Sequence, residues 1–287
     1  APDLPADHVG RFLALRARIA WKLDRLEEAA ERYDYIGHLG EKQRDVELAA
    51  MAELGRTTLA QLRGHFPELR QRTVALHDLA ARSGNKSILR AAYNAAMIGH
   101  IKSGDASAAL IDGWRAWELS VGHDPWEAES LVNLAQVMLD SGHASQARAG
   151  FAAALERSAP AWMLVGALGG LALSSALTGH EATVEWTVRE VSRAHTLPVA
   201  KYALGIDELE CAGALVRLGR MEEAERHRRT ADEIGRRNRF SETSSKAQEL
   251  DRADRRPRAT PRGAEAEAYA ARLQALEPER PPNQVQF

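Results

Sequence analysis

Leu131-Val-Asn-Leu-Ala-Gln-Val-Met-Leu-Asp-Ser-Gly-His-Ala-Ser-Gln-Ala-Arg-Ala-Gly-Phe-Ala-Ala-Ala-Leu155, followed by Pro160, is the stretch that decides the fold. Leu131, Leu134, Ala135 and Met138 recur at helical spacing and form one apolar stripe. Ser141-Gly142 interrupts it, because glycine enters a turn without a Cβ penalty. Ala144, Ala147, Phe151 and Ala154 form a second stripe, which Pro160 stops. The stretch reads as two helices joined by a tight turn, with the small residues Ala135 and Ala147 allowing close approach.

Used as a ruler, the turn at Gly142 has counterparts at Gly104, Gly64 and Asp24 in one direction and at Gly179 and Gly219 in the other. The intervals from Asp24 to Gly219 are 40, 40, 38, 37 and 40 residues. Six turns at nearly constant spacing mark an internal repeat. The first unit spans Leu13 to Ile36. The second has a helix from about Arg44 to Gln61 and another starting near Pro67, a residue suited to a first helical turn. The third covers Leu89 to Leu119, the fifth Trp162 to Val191 and the sixth Ile206 to Ile234. Ser241 to Leu250 reads as one more helix, and the charged, Pro-containing run Arg252 to Gly263 as a flexible linker. Ala264 to Leu276 reads as a short amphipathic helix with Tyr269, Leu273 and Leu276 on one side. The expected architecture is an all-α solenoid of about six helix pairs over 8–240, with a helical cap, linker and tail over 241–287.

Trp21-Lys-Leu-Asp-Arg-Leu-Glu-Glu-Ala-Ala-Glu-Arg-Tyr33, the opening stretch, and Cys211-Ala-Gly-Ala-Leu-Val-Arg-Leu-Gly-Arg-Met-Glu-Glu-Ala224 resemble the tetratricopeptide (TPR) repeat. The resemblance extends over about Leu13 to Ile234. The period near 40 residues, with Leu79-Ala-Ala-Arg-Ser-Gly-Asn85, Tyr93-Asn-Ala-Ala96 and Val132-Asn-Leu-Ala135, is similar to the long-period arrays of bacterial regulators such as MalT-type activators. It implies a right-handed superhelix whose inner surface, lined by the first helix of each pair, binds a protein, a peptide or a small effector without a cofactor. A second reading takes the chain as the sensory half of a transcription or signalling protein, since Ala1 is not a Met and an output domain upstream would fit. A third is a scaffold that associates with itself.

Composition agrees with this class. Apolar residues are 45% and aromatic residues 6%, with helix formers dominant. The net charge of -2 gives no global field toward nucleic acid. Cys211 is the one cysteine, so an intramolecular disulfide is impossible, and a reducing cytoplasm fits. Ala159 to Gly179 carries no charged residue and includes Gly166-Ala-Leu-Gly-Gly170, a spacing used in membrane helix pairs. Its four glycines, with Ser174, Ser175 and Thr178, favour a buried helix of the array over a membrane span.

Asn94 and Asn133 are the sharpest binding candidates. They lie 39 residues apart in neighbouring units, and an amide offers one acceptor and two donors to a bound peptide backbone. Arg90, Gln136 and Asp140 lie a turn away, and Arg18 with Trp21 offers a groove position in the first unit. The competing reading is that each amide braces a neighbouring helix. Trp114, Trp117, Trp126, Trp162 and Trp186 read as core filling rather than an aromatic box. His65, His143 and His180 follow turn glycines in different units, too far apart to share a metal. Cys211 reads as a small core residue, and no nucleophile elbow or phosphate loop is present, so no catalytic residue is assigned. Arg236 to Arg262 holds nine basic and four acidic residues. It reads as a solvated run rather than a nucleic-acid contact.

Overall fold

The structure is a computed structural model that describes residues 6–23, 25–157, 161–197, 199, 201–238, 240, 243, 247 and 263–278, with the backbone alone at 6–8, 124 and 161–163. Asp24, Pro160, most of 241–262 and the prolines after Pro278 therefore lie outside the described residues, as does the Trp162 side chain.

Among its described residues the chain is all-α, with successive helices packed in solenoid fashion within each of two compact units. Its helices are α1 (Ala6–Lys22), α2 (Leu26–Gln43), α3 (Val46–Leu62), α4 (Phe66–Ser83), α5 (Lys86–Ser103), α6 (Ala106–Glu118), α7 (Asp124–Asp140), α8 (Ala144–Leu155), α9 (Ala161–Leu177), α10 (Glu181–Ala194), α11 (Lys201–Arg217), α12 (Met221–Asn238) and, after a gap, α13 (Ala264–Gln274). No strand occurs among the described residues.

One local device closes every helix pair. Gly64, Gly104, Gly142, Gly179 and Gly219 have φ between 71° and 82°. The residue after each turn donates its N–H to the carbonyl five residues back: Arg25 to Ala20, His65 to Ala60, Asp105 to His100, His143 to Met138, His180 to Ser175 and Arg220 to Leu215, at 2.8–2.9 Å. This is the Schellman closure, which satisfies a helix carbonyl that would otherwise lack a partner and reverses the chain in few residues. The spacing read from the sequence is the spacing of these closures. His65, His143 and His180 stand at the following N-cap positions and make no side-chain cap bond there.

Two compact units divide the chain, 1–99 and 100–287. In the first, α1 packs on α2 and α3, α2 on α3, and α3 on α4. Ala50, Leu76, Ala80, Ile88, Ala92 and Ala95 form a core between α3, α4 and α5. In the second unit each helix from α6 to α12 packs on its successor, and the first helices of successive pairs also touch, α7 on α9 and α9 on α11. The close approach expected at Ala135 is made by Gly150, where a Cβ would stand 2.9 Å from the Ala135 Cβ. No helix among the described residues is long and apolar enough to cross a membrane. The uncharged segment is α9, and its Val165, Ala167, Leu168, Leu171 and Ala172 are buried.

The end of the second unit is covered by Phe240, Thr243 and Ala247. Phe240 meets Tyr202 edge-on at 5.4 Å. Ala247 packs with Leu209 and Ala231, and Thr243 lies over Gly205. The C-terminal helix α13 goes elsewhere. It lies across α6 and α8.

Candidate functional site

The α6–α8 face is built from side chains that the array itself holds in place. Trp114 on α6 is 1% exposed, and its indole N–H donates to the Glu118 carboxylate at 3.1 Å. Trp117 leans on it with ring centroids 4.7 Å apart. On α8, Gly150 leaves a notch beside Ala135, and Arg148 stands at the edge. Into this face α13 sends Tyr269, stacked on Trp114 at 4.9 Å and 11°. Arg272 places its guanidinium 4.4 Å from the Trp114 ring, a cation over an electron-rich face. Leu273, fully buried, fills the notch, with its methyls 3.2–3.4 Å from where a Gly150 Cβ would be. Glu277 pairs with Arg148. An isolated helix of eleven residues is unstable in water, so α13 owes its helical state to this contact.

A second constellation lies within one turn of α11. Asp207, Glu208, Glu210 and Cys211 are all buried. Burial favours the uncharged carboxyl of Asp207 and pushes it well above its ordinary range. The Gly169 N–H, 3.0 Å from Oδ1, opposes this, while the charges of Glu208 and Glu210 add to it. Glu208 is the opposite case. Burial alone would raise it, but hydrogen bonds from His195 at 2.5 Å and His227 at 2.6 Å outweigh burial and hold the carboxyl below its ordinary range. The Cys211 thiol is pushed well up by burial and by its acidic neighbours, consistent with a core residue. Among the described residues no group of three or more His, Cys, Asp or Glu is arranged to hold a metal ion.

These opposite environments carry a prediction. Asp207→Asn keeps the Oδ1 acceptor for Gly169 and removes an ionisation that only the unfolded chain undergoes near pH 4. A carboxyl raised in the folded state loses stability as pH climbs above its unfolded value of about 3.9. The variant is therefore expected to melt at a higher temperature than the parent at pH 7, with the gain fading below about pH 4. Thermal melts between pH 3.5 and pH 8 read this directly.

The binding candidates separate when placed. Arg18 is exposed and Trp21 half-buried on α1, and both face Tyr33 of α2. Burial pushes the Tyr33 hydroxyl up to about 12, against the smaller influence of Arg18 and of a hydrogen bond with Trp21. Lys22 lies 4.9 Å over the Trp21 ring. Arg90 and Asn94 share one face of α5 on successive turns, and both are buried. The Asn94 Oδ1 is buried without a hydrogen-bond partner. Both residues belong to the first unit.

Asn133, Gln136 and Asp140 belong to α7 in the second unit and are partly exposed. Gln136 donates to Asp140 at 3.3 Å. Register explains why the two asparagines differ in burial. Asn94 lies ten residues before its turn glycine and Asn133 nine before its own. One residue is a rotation of about 100° around a helix. Nine before the turn is also the place of Gly55 and Gly170, where the Tyr33 and Phe151 rings of the preceding helix would overlap any Cβ. Those rings stand nine residues after their own turns, the register that Gly113 occupies on α6. On α6 and α7 these two registers hold Gly113 and Asn133, and Asn133 is partly exposed there.

Sequence reasoning missed the use of Trp114 as an anchor, since its spacing reads as core. The available signal was the one-sided pattern of Tyr269 and Leu273, which required a surface to cover. Trp126 lies tilted against His123 with ring centroids 5.1 Å apart, and Trp186 is partly buried. In the basic run, Arg236 and Arg237 pair with Asp232 and Glu233 of their own helix; most of the remainder lies outside the described residues. The chain matches no protein-family model and no curated protein sequence.

Proposed function

We propose that the chain is a non-catalytic recognition module that binds a segment of another protein. The observation that supports this reading best is the α6–α8 face, which already holds an amphipathic helix through a ring stack, a cation over an indole, one buried leucine and one ion pair. Laying an apolar helix face into a preformed groove is a recurring mode of peptide recognition, read through anchors spaced three and four residues apart. Stacked helix pairs supply the long surface that such recognition uses. The buried, unpartnered amide oxygen of Asn94 marks α5 as a second place where a donor from a ligand would be satisfied.

A display selection tests the reading. A library of random 16-residue peptides (about that length spans four helical turns) is panned against the intact chain. The expected result is convergence on a shared pattern of anchors. Failure of any pattern to emerge over repeated rounds counts against recognition of protein segments.

A further inference from the structure

Helix α13 does not serve as the lid of the stack. That end is covered by Phe240, Thr243 and Ala247 on α11 and α12. Instead α13 follows α12 by 25 residues and packs on α6 and α8. The surface it covers is organised by contacts that do not involve it: the Trp114 indole bonded to Glu118, and Gly150 seated against Ala135. Its own contribution is a short pattern, an aromatic at 269, Arg at 272, Leu at 273 and Glu at 277. Each element meets a complementary feature: the indole face, the notch at Gly150 and the cation of Arg148. Of the helix itself Ala266 and Leu273 alone are buried, and Glu277 lies just beyond its end.

We propose that the α6–α8 face is the docking site for an amphipathic helix of a partner protein that carries this same pattern, and that α13 is a competitor in cis which closes the site until such a helix displaces it. The inference rests on the recognition reading and adds the partner's chemistry and a means of regulation. Charge selects the direction of the partner. Its arginine lies over the indole, on the α6 side where Glu118 sits, and its acid reaches Arg148 on α8, so a reversed helix would bring like charges together. A covalent tether presents α13 at an effective concentration on the order of 1 mM or less. A partner of equal affinity must exceed that concentration in trans, so a helix opens the site at lower concentration only by carrying the four anchors and binding more tightly than α13.

The probe is a fluorescent synthetic peptide of residues 263–278, titrated into the full chain. In the variant Tyr269→Ser/Arg272→Ser/Leu273→Ser the cis helix is disengaged while α6 and α8 are untouched. This variant is expected to bind the probe at least tenfold more tightly than the wild type. Adding Trp114→Ala should cost at least tenfold in affinity. Arg148 is partly buried at the edge of the face, so Arg148→Glu reverses its charge while leaving Trp114 and Gly150 in place. It should weaken the probe, and a probe with Glu277→Arg should recover binding to it. In the wild type, excess probe should speed deuterium exchange in 264–274. Equal affinity of wild type and disengaged variant, or no effect of either Trp114→Ala or Arg148→Glu, would overturn the proposal. So would binding of α13 by a second copy, read as a concentration-dependent dimer in light scattering. Library peptides that bind the chain yet ignore both substitutions would leave recognition standing and remove this face from it.

Discussion

Gly169→Ala is expected to be the most damaging single methyl in the second unit. At this point α9 crosses α11 with backbone against backbone. A Cβ on residue 169 would overlap the Asp207 Cα and come within 2.8 Å of its carbonyl oxygen. Neither is the end of a flexible side chain, so the two helices must separate. Separation also lengthens the bond from the Gly169 N–H to Asp207 Oδ1 and leaves that buried acceptor short of a donor. Overpacking of a close-packed core costs about 1–3 kcal/mol and sometimes more. The gain in helix propensity from glycine to alanine returns about 1 kcal/mol at most. With the weakened buried hydrogen bond adding about 1–3 kcal/mol, a net loss of about 2–3 kcal/mol, or roughly 4–12 °C in a unit of this size, is the expected outcome of a thermal melt. Gly213→Ala serves as the comparison. Its Cβ would meet the Leu173 methyl at 3.4 Å, an ordinary contact, and little change is expected.

Glu208→Gln is the second large effect, and its signature is pH. Glu208 is 2% exposed and joins three places in the chain: His195 after α10, its own helix α11, and His227 on α12. Asp207 and Glu210 flank it on α11, so the two imidazoles are the groups that offset its burial. Losing the acceptor of a buried hydrogen bond and leaving its partner unsatisfied costs about 1–3 kcal/mol. The exposure of His195, whose side chain is 35% accessible, places the expected loss at the lower end. Because the folded state holds this carboxyl below its ordinary range, its contribution is complete above the unfolded value of about 4.3 and is lost as pH falls through the folded value. The melting temperatures of parent and variant should differ most above about pH 5 and converge as the solution is acidified. A difference that is constant with pH would assign Glu208 to packing alone.

Much of the fold was legible because one element repeats. The turn at Gly142 can be recognised elsewhere because a left-handed residue followed by a Schellman bond needs glycine or a substitute at a fixed place, and that requirement recurs along the chain. Helix boundaries followed: Pro67 falls in the first turn of α4, and the uncharged segment becomes α9 between two amphipathic helices. The candidate site was less legible. Asn94 and Asn133 lie 39 residues apart, but their turns lie 38 apart, and a single residue of slip turns a side chain from one helix face toward another. The partners of the acidic turn on α11 were not legible either. It is buried because Gly169 admits the α11 backbone and two histidines distant in sequence supply the hydrogen bonds. The return of α13 to α6 and α8 was not legible, because neither the length nor the composition of residues 239–263 encodes where the following helix docks.

The account's central claim is recognition of a protein segment, and one titration tests it most directly. The peptide most enriched in the display selection is titrated into the intact chain by calorimetry, beside a scrambled peptide of the same composition. The account predicts saturable one-to-one binding of the selected peptide, at least tenfold tighter than the scrambled control. Equal binding of the two peptides, or no saturable binding of either, would contradict it.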